Sequence, residues 1–456
     1  MDFVHNYRPD DTIAAVATAP GEGAIAVIRV SGAQAFEVVS KVFHKDLKNC
    51  PTHTAHYGPI LDRSGVPIDT GLYLVMKGPR SYTGEDTVEI SCHGGSLVTR
   101  RVLERIFEAG ARPALPGEFS LRAFLHGKID LAQAEAVQQL IASKSELALS
   151  SAEKQLAGAL SEKVRGFQME LTSVAAILEA WVDFPEEGLE FAAFDEIVER
   201  LRDVKQQVVC LAETFHEGKL LHEGLSLCLL GAPNVGKSSL MNALLGKERA
   251  IVTPIAGTTR DVLEEDVRLG GLHFKLVDTA GIRETTEVVE QEGIRRSKTA
   301  MQEADVILLL LDASRELEAG DRELLSAVPK EKTVVVWNKI DVKAPSEPVV
   351  WEHQVQVSAR EKQGLGELKA VIDRLVWKHG PPSKEEIAIT QLRHHTALHN
   401  TVRAIDQVIE GLRKRVSAEF VAADMRVALQ ELGTILGTNV TEDILTSIFS
   451  QFCLGK

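Results

Sequence analysis

The chain has 456 residues, 44% of them hydrophobic and 25% charged, which at about 150 residues per domain amounts to roughly three globular domains and excludes a disordered chain or a disulfide-stapled miniprotein. Its net charge of −14 argues against a surface that grips nucleic acid throughout, because phosphate binding draws on clustered Lys and Arg, but leaves room for a local basic patch. The longest aliphatic run, 306–311, is far short of the roughly 20 residues that cross a bilayer, the first residues hold no apolar signal core, and the scattered Cys50, Cys92, Cys210, Cys228 and Cys453 suggest neither a disulfide framework nor a zinc site, so a reducing, cytoplasmic setting without membrane contact is expected.

Residues 1–120 mix short β-like runs (24–30, 72–76, 87–91) with a helical stretch at 96–109 and turn clusters at Gly78-Pro79 and Pro116-Gly117, which is an α+β pattern. From Asp130 to about Leu221 the texture changes to long Ala/Leu/Glu/Gln/Lys segments with helical spacing, broken by proline and glycine near 183–188. The stretch 121–222 also holds the acidic excess, 17 acidic against 10 basic residues. Residues 223–379 then alternate apolar strands (225–230, 273–277, 306–311, 333–337, 354–357) with helical patterns, as βαβ units around a buried parallel sheet do. After Gly380-Pro381-Pro382 helical spacing resumes at 387–409, 418–432 and 441–449. The predicted fold class is α/β plus α: a nucleotide-binding module with a mostly parallel sheet at 223–379, inserted in a discontinuous helical domain (121–222 and 380–456) and preceded by an α+β domain at 1–120. On the second helical part, His394-His395 lacks carboxylate or cysteine companions at ligand spacing and reads as helix surface rather than a metal site.

The run Gly231-Ala232-Pro233-Asn234-Val235-Gly236-Lys237-Ser238, followed by Ser239, fits G-x-x-x-x-G-K-[ST] directly after an apolar strand and before a helical stretch. Its glycines let backbone N–H groups cradle phosphates, Lys237 is expected to reach the β- and γ-phosphates, and Ser238 to hold magnesium. Three motifs follow in order: Thr258-Thr259-Arg260-Asp261, Asp278-Thr279-Ala280-Gly281 after a strand, and Asn338-Lys339-Ile340-Asp341 after another. Asp278 suits a magnesium-bound water, the Gly281 N–H the γ-phosphate, and Thr259 a further magnesium contact. An ionised Asp341 offers only acceptors, which matches the N1–H and exocyclic amine of guanine and mismatches adenine, so GTP is the expected nucleotide. Ser358-Ala359-Arg360 follows the last strand where a backbone contact to the guanine oxygen falls.

Ile282 stands where Ras-like proteins place a water-orienting glutamine, so water must be positioned from elsewhere. Arg260 and Arg283 are the arginine candidates, and for each a surface salt bridge is the plainer role. The amide oxygen of Asn234, joined by loop carbonyls near Thr253 and Ile255, suits a monovalent cation doing an arginine finger's work; a structural turn hydrogen bond is the alternative for Asn234.

With those motifs placed, the chain resembles the tRNA-modification GTPase family called MnmE or TrmE. The likeness extends to Ala19-Pro20-Gly21, Arg29-Val30-Ser31-Gly32, Tyr82-Thr83-Gly84-Glu85-Asp86, His93-Gly94-Gly95, Arg112-Pro113, Pro116-Gly117-Glu118-Phe119-Ser120, Asp130-Leu131-Ala132-Gln133-Ala134-Glu135-Ala136 and Phe452-Cys453-Leu454-Gly455-Lys456. It implies a folate-binding N-terminal domain, an inserted G domain, and a homodimer that forms a heterotetramer with an FAD-containing partner, MnmG or GidA. Together these add a carboxymethylaminomethyl or aminomethyl group to C5 of the wobble uridine of certain tRNAs. It further implies GTP contacts along Thr253-Pro254-Ile255-Ala256-Gly257-Thr258, potassium contacts at Asn234, Thr253, Ile255 and Thr258, and magnesium ligands at Ser238 and Thr259. Glu290 is the implied water-positioning carboxylate when two G domains meet. Arg29, Glu89 and Lys128, with Lys456 from the tail, are implied contacts to 5-formyltetrahydrofolate, and Cys453 is implied in the modification chemistry. A regulatory GTPase switch, as in ribosome assembly, is the rival reading.

Overall fold

The computed structural model describes residues 8, 11–183, 194–245, 266–269, 272–277, 301–346, 349–377 and 387–456. The first sheet is built from β1 (Ile13–Val16), β2 (Ile25–Ser31), β3 (Thr54–Leu61), β4 (Pro67–Met76), β5 (Thr87–His93) and β6 (Arg112–Pro113). Their order is β3-β4-β5-β2-β1-β6, antiparallel except for the β1–β6 pair. Alternation along the strands turns Ile28, Val30, Val88 and Ile90 onto the face covered by the helices Ala35–Phe43 and Ser96–Ala109 and leaves Arg29 opposite Glu89 on the other face. The sequence reading finds the helix at 96–109 and three strands of this sheet, and omits β1, β3, the two-residue β6 and the helix Ala35–Phe43. The strand β3, TAHYGPIL, carries a histidine, a glycine and a proline where an apolar alternation would announce a strand.

The helix Glu118–Leu125 runs across position 120/121, where the sequence suggests a change of domain. Its buried polar residues tie it to the first sheet. Arg122 donates to both oxygens of Glu85 at 2.9 and 3.0 Å and to Glu118 at 3.0 Å, while Arg112 grips Glu118 with two bonds of 2.6 and 2.9 Å. Ser31 Oγ meets Thr83 Oγ1 at 2.7 Å and donates to Glu85 at 2.8 Å. Several of the motif residues that carry the family resemblance are thus one buried ion-pair network, in which each charge has a partner.

The second sheet consists of β7 (Leu225–Leu230), β8 (Asp266–Leu269), β9 (Leu272–Val277), β10 (Val306–Asp312), β11 (Thr333–Asn338) and β12 (Gln354–Gln356), in the order β12-β11-β10-β7-β9-β8. It is parallel except for the hairpin pair β8–β9. Both faces are buried, which is why its strands read as continuous aliphatic runs: Leu308 and Leu310 enter one core, Ile307, Leu309 and Leu311 the other.

Between and after these sheets lie the helices Leu131–Ala142, Glu146–Leu156, Ala159–Asp183, Phe194–Glu213 and Phe215–Glu223, and then Leu392–Arg413, Ala418–Leu436 and Glu442–Phe449. Asp130 starts the first with a reciprocal cap, accepting from Gln133 N at 3.0 Å while Gln133 Oε1 accepts from Asp130 N at 3.0 Å. Leu160, Val164, Phe167 and Leu171 share one apolar core with Leu398, Ile405, Val408, Met425 and Leu432, so the helical layer is assembled from two stretches of chain on either side of the second sheet. The returning segment 387–391 is extended, not helical, because its backbone is bonded to the outgoing helices: Ile389 N donates to Thr214 Oγ1 at 3.1 Å, and Ala388 O accepts from Gln155 Nε2 at 2.9 Å. A Cβ at Gly218 would overlap Ile389 O.

His394 is not a surface residue. It is fully buried, with Nε2 2.7 Å from Glu135 Oε2, and Arg393 donates to both Glu135 oxygens at 2.9 and 3.1 Å. Arg393 also donates to Thr434 O and Ile435 O. Among the described residues no cluster of three or more His, Cys, Asp or Glu suited to a metal is found, and no helix is long and apolar enough to cross a membrane.

Candidate functional site

The strand β7 ends at Leu230 and the helix Lys237–Leu245 begins after a loop of six residues, 231–236. The turn needs left-handed backbone at Gly231, Asn234 and Gly236, with φ of 150°, 64° and 98°; asparagine is among the few side chains that tolerate it. Val235 is buried beneath the loop, and Asn234, Ser238 and Ser239 are exposed on it. Lys237 Nζ donates to Gly231 O at 2.8 Å and Ala232 O at 3.0 Å, which curls the ammonium over the concave side of the loop. The N–H groups of a helix start, glycines that admit close approach and a lysine held above them form a cradle for a polyphosphate.

The Ser238 hydroxyl, in the first turn, fits a hard cation that takes oxygen ligands, and the exposed Asn234 amide offers an oxygen at the rim. Thr253, Pro254, Ile255, Ala256, Gly257, Thr258, Thr259, Asp278, Thr279, Ala280, Gly281 and Glu290 lie outside the described residues.

The third motif splits into two roles. Asn338 is buried, donates from Nδ2 to Val235 O at 2.9 Å and accepts from Ala359 N at 3.0 Å. It couples the phosphate loop to the segment Ser358-Ala359-Arg360 through its own amide. A Cβ on Gly236 would overlap that amide, so the glycine is needed for close approach as well as for its turn. Asp341 is exposed, with Oδ1 accepting from the buried Ser358 Oγ at 2.6 Å; the carboxylate is oriented on one side and open on the other, as an acceptor for a base edge requires. The Arg360 side chain points into solvent, 85% exposed. Lys339, at φ 67°, sends Nζ to Asp312 Oδ2 at 2.6 Å. Burial pushes the Asp312 carboxyl up, but the bonds from Lys339 and Ser314 outweigh it and hold the group below the ordinary range. No motif announces Asp312; its acidic type at the end of an aliphatic strand was the available signal.

A second constellation forms where the chain's end meets the first sheet. Phe449 and Phe452 are buried against Leu121 and Leu131, which brings Gly455 O to 3.2 Å from Arg29 NH1. Arg29 is paired with Glu89 at 2.8 Å and lies against the rings of Tyr82 and Phe119, 5.3 and 5.6 Å from their centroids. Lys456 Nζ lies 5.9 Å from the Tyr82 centroid. Burial, then the Arg29 charge, pulls the Lys456 ammonium below its usual range, against the pull of Glu89. Tyr82 is held by Ser120 at 2.8 Å, and its phenol is pushed up by burial. Of the residues expected at a folate, Arg29, Glu89 and Lys456 come together; Lys128 donates to Pro79 O at 2.9 Å and lies beside Gly84 of the Tyr82–Asp86 motif. Cys453 is exposed on the tail.

The parallel sheet, the glycine-lined cradle and the base-edge carboxylate define a P-loop nucleotide hydrolase of the guanine-selective kind, set between two stretches of a helical layer. Family models described as MnmE helical domain and as GTP-binding protein TrmE N-terminus match residues 131–453 and 12–128. The chain is 60% identical over its whole length to the tRNA modification GTPase MnmE of Protochlamydia amoebophila, which it also covers completely. It is 43% identical to that of Enterococcus faecalis and 41% identical to that of Clostridioides difficile, covering 98% and 99% of them with 98% of its own length. The chain belongs to the MnmE family and is a GTP hydrolase.

Proposed function

We propose that this GTP hydrolase acts in the cytoplasm as a homodimer, in a heterotetramer with the FAD-containing protein MnmG or GidA. The assembly adds a carboxymethylaminomethyl or aminomethyl group to C5 of the wobble uridine of certain tRNAs, with the one-carbon unit drawn from a tetrahydrofolate. In this reading residues 1–120 hold the folate, 121–222 and 380–456 form the helical scaffold, and 223–379 form the G domain. Arg29, Glu89, Lys128 and Lys456 hold the folate, and Cys453 stands on the same tail for the modification step. GTP cleavage is driven by pairing of two G domains. Lys237 and the cradle hold the phosphates, Ser238 and Thr259 hold magnesium, and Asn234, Thr253, Ile255 and Thr258 hold potassium. A potassium ion supplies positive charge against the charge that develops on the phosphates, and Glu290 orients the water.

The observation that carries the reading is the docked tail. A ribosome-assembly switch has no use for a terminal segment that docks through two buried phenylalanines and brings Gly455 and Lys456 onto a partly buried arginine–glutamate pair. Hydrolysis compared in potassium and sodium at equal ionic strength is expected to be faster in potassium, and equal rates reject the cation role. Cys453→Ser is expected to abolish the tRNA modification, measured by nucleoside analysis of a complemented strain, with GTP hydrolysis retained; unchanged modification removes Cys453 from the chemistry.

A further inference from the structure

We propose that Asp312, outside the nucleotide motifs, is a positioning residue of the purine pocket that acts by holding the Lys339 side chain in place before the nucleotide arrives. A carboxylate at the end of a seven-residue strand that is buried throughout loses its hydration and needs partners. It has them on both oxygens: Ser314 N at 2.9 Å and Ser314 Oγ at 2.6 Å on Oδ1, Lys339 Nζ at 2.6 Å on Oδ2.

Asp312 is the register partner of Asn338 across β10 and β11. Lys339 is therefore the first residue past the ladder, and its left-handed backbone turns it back toward the end of β10. On the other side of β10 lies β7, which opens into the phosphate loop. The four methylenes of Lys339 thus span from the Asn338–Asp341 corner toward the phosphate cradle, which is the path that a base and its sugar follow when the base edge meets Asp341. A free lysine gives up much rotamer freedom when a ligand pins it, and a tethered one has already done so. Such a wall meets the ring face, so it is blind to the hydrogen-bonding pattern of the base edge. The inference rests on the reading of Asp341 as acceptor for guanine.

The test is equilibrium binding of GDP and IDP to the full chain by displacement of a fluorescent GDP analogue. Asp312→Ala is expected to weaken both by the same factor, about three to tenfold, leaving the GDP-to-IDP ratio unchanged. Combining it with Lys339→Ala is expected to add nothing to the weaker single variant, because the two act as one unit. Unchanged GDP affinity, a shifted ratio, or losses that multiply in the double variant would each overturn the proposal. Ser314→Ala, which removes one support of the carboxylate, is expected to act in the same direction but less. Should Asp312→Ala fail to fold, unchanged GDP affinity in Ser314→Ala overturns the proposal by itself. A parallel arm with Asp341→Asn and xanthosine diphosphate separates the two readings: no gain in xanthosine binding sinks the edge assignment, whatever Asp312 does.

Discussion

At the scale of single residues, the third nucleotide motif shows how a recognisable pattern hides unlike jobs. Asn338 faces the interior, satisfying Val235 O below the phosphate cradle and Ala359 N beside the base corner. Asp341, three residues on, is exposed and oriented by Ser358. Replacing Asn338 with alanine leaves a buried carbonyl and a buried N–H without that partner, at about 1–3 kcal/mol each. Asn338→Ala is therefore expected to lower both the melting temperature and the affinity for GDP, measured by thermal denaturation and equilibrium binding. A variant that melted lower yet bound GDP unchanged would show that the amide link does not shape the site. A guanine preference is what the acceptor count of Asp341 predicts from the sequence alone. That Asn338 is a strut was not readable there, because Val235 is 103 residues away in the chain.

Among elements, the tail from Glu442–Phe449 to Lys456 joins the end of the chain to the first sheet. It is held by Phe449 and Phe452 in an apolar pocket and by the close approach of Gly455, at φ 91°, where a Cβ would collide with Val16 O. Gly455→Ala is expected to free the last residues from the first sheet, and faster hydrogen exchange across 450–456, with the helix Ala159–Asp183 unchanged as internal reference, would register it. Phe452→Ala is expected to do the same at a cost of about 3 kcal/mol for the lost burial. Unaltered exchange in both variants would mean that the tail is held by something other than these contacts. The sequence showed a helix at 441–449, and the family resemblance implied that Lys456 joins Arg29 at a folate; neither showed that Gly455 O itself would accept from Arg29, 426 positions earlier.

For the molecule as a whole, the buried Glu135–Arg393–His394 group joins the two stretches of the helical layer. Desolvation opposes a charged Glu135, but His394 and Arg393 outweigh it and bring its carboxyl from 4.5 down to about 2. Because the folded pKa is the lower one, the contribution to stability is fully present above about pH 4.5 and is lost as the pH falls toward about 2. Denaturant unfolding between pH 7 and pH 3 is expected to show declining stability in the natural chain and a flatter profile in Glu135→Gln. Glu135→Ala, which strands two buried basic side chains, is expected to cost about 3–5 kcal/mol; a loss below 1 kcal/mol would show that water replaces the carboxylate. His394 reads as helix surface in the sequence because no carboxylate or cysteine stands near it at ligand spacing; the carboxylate it meets, Glu135, lies on the other stretch of the helical layer.

Local chemistry in the chain was enough to point to the phosphate loop, the buried parallel sheet and the helical layer on either side of it in sequence, because glycine spacing and aliphatic runs act over a few residues. Tertiary structure alone decided that motif residues 31, 85, 112 and 118 join Arg122 in one polar network, and that Asp312 holds Lys339. Those outcomes depend on which distant backbones lie side by side, and the desolvation that makes each pairing necessary exists only after the chain has closed around it.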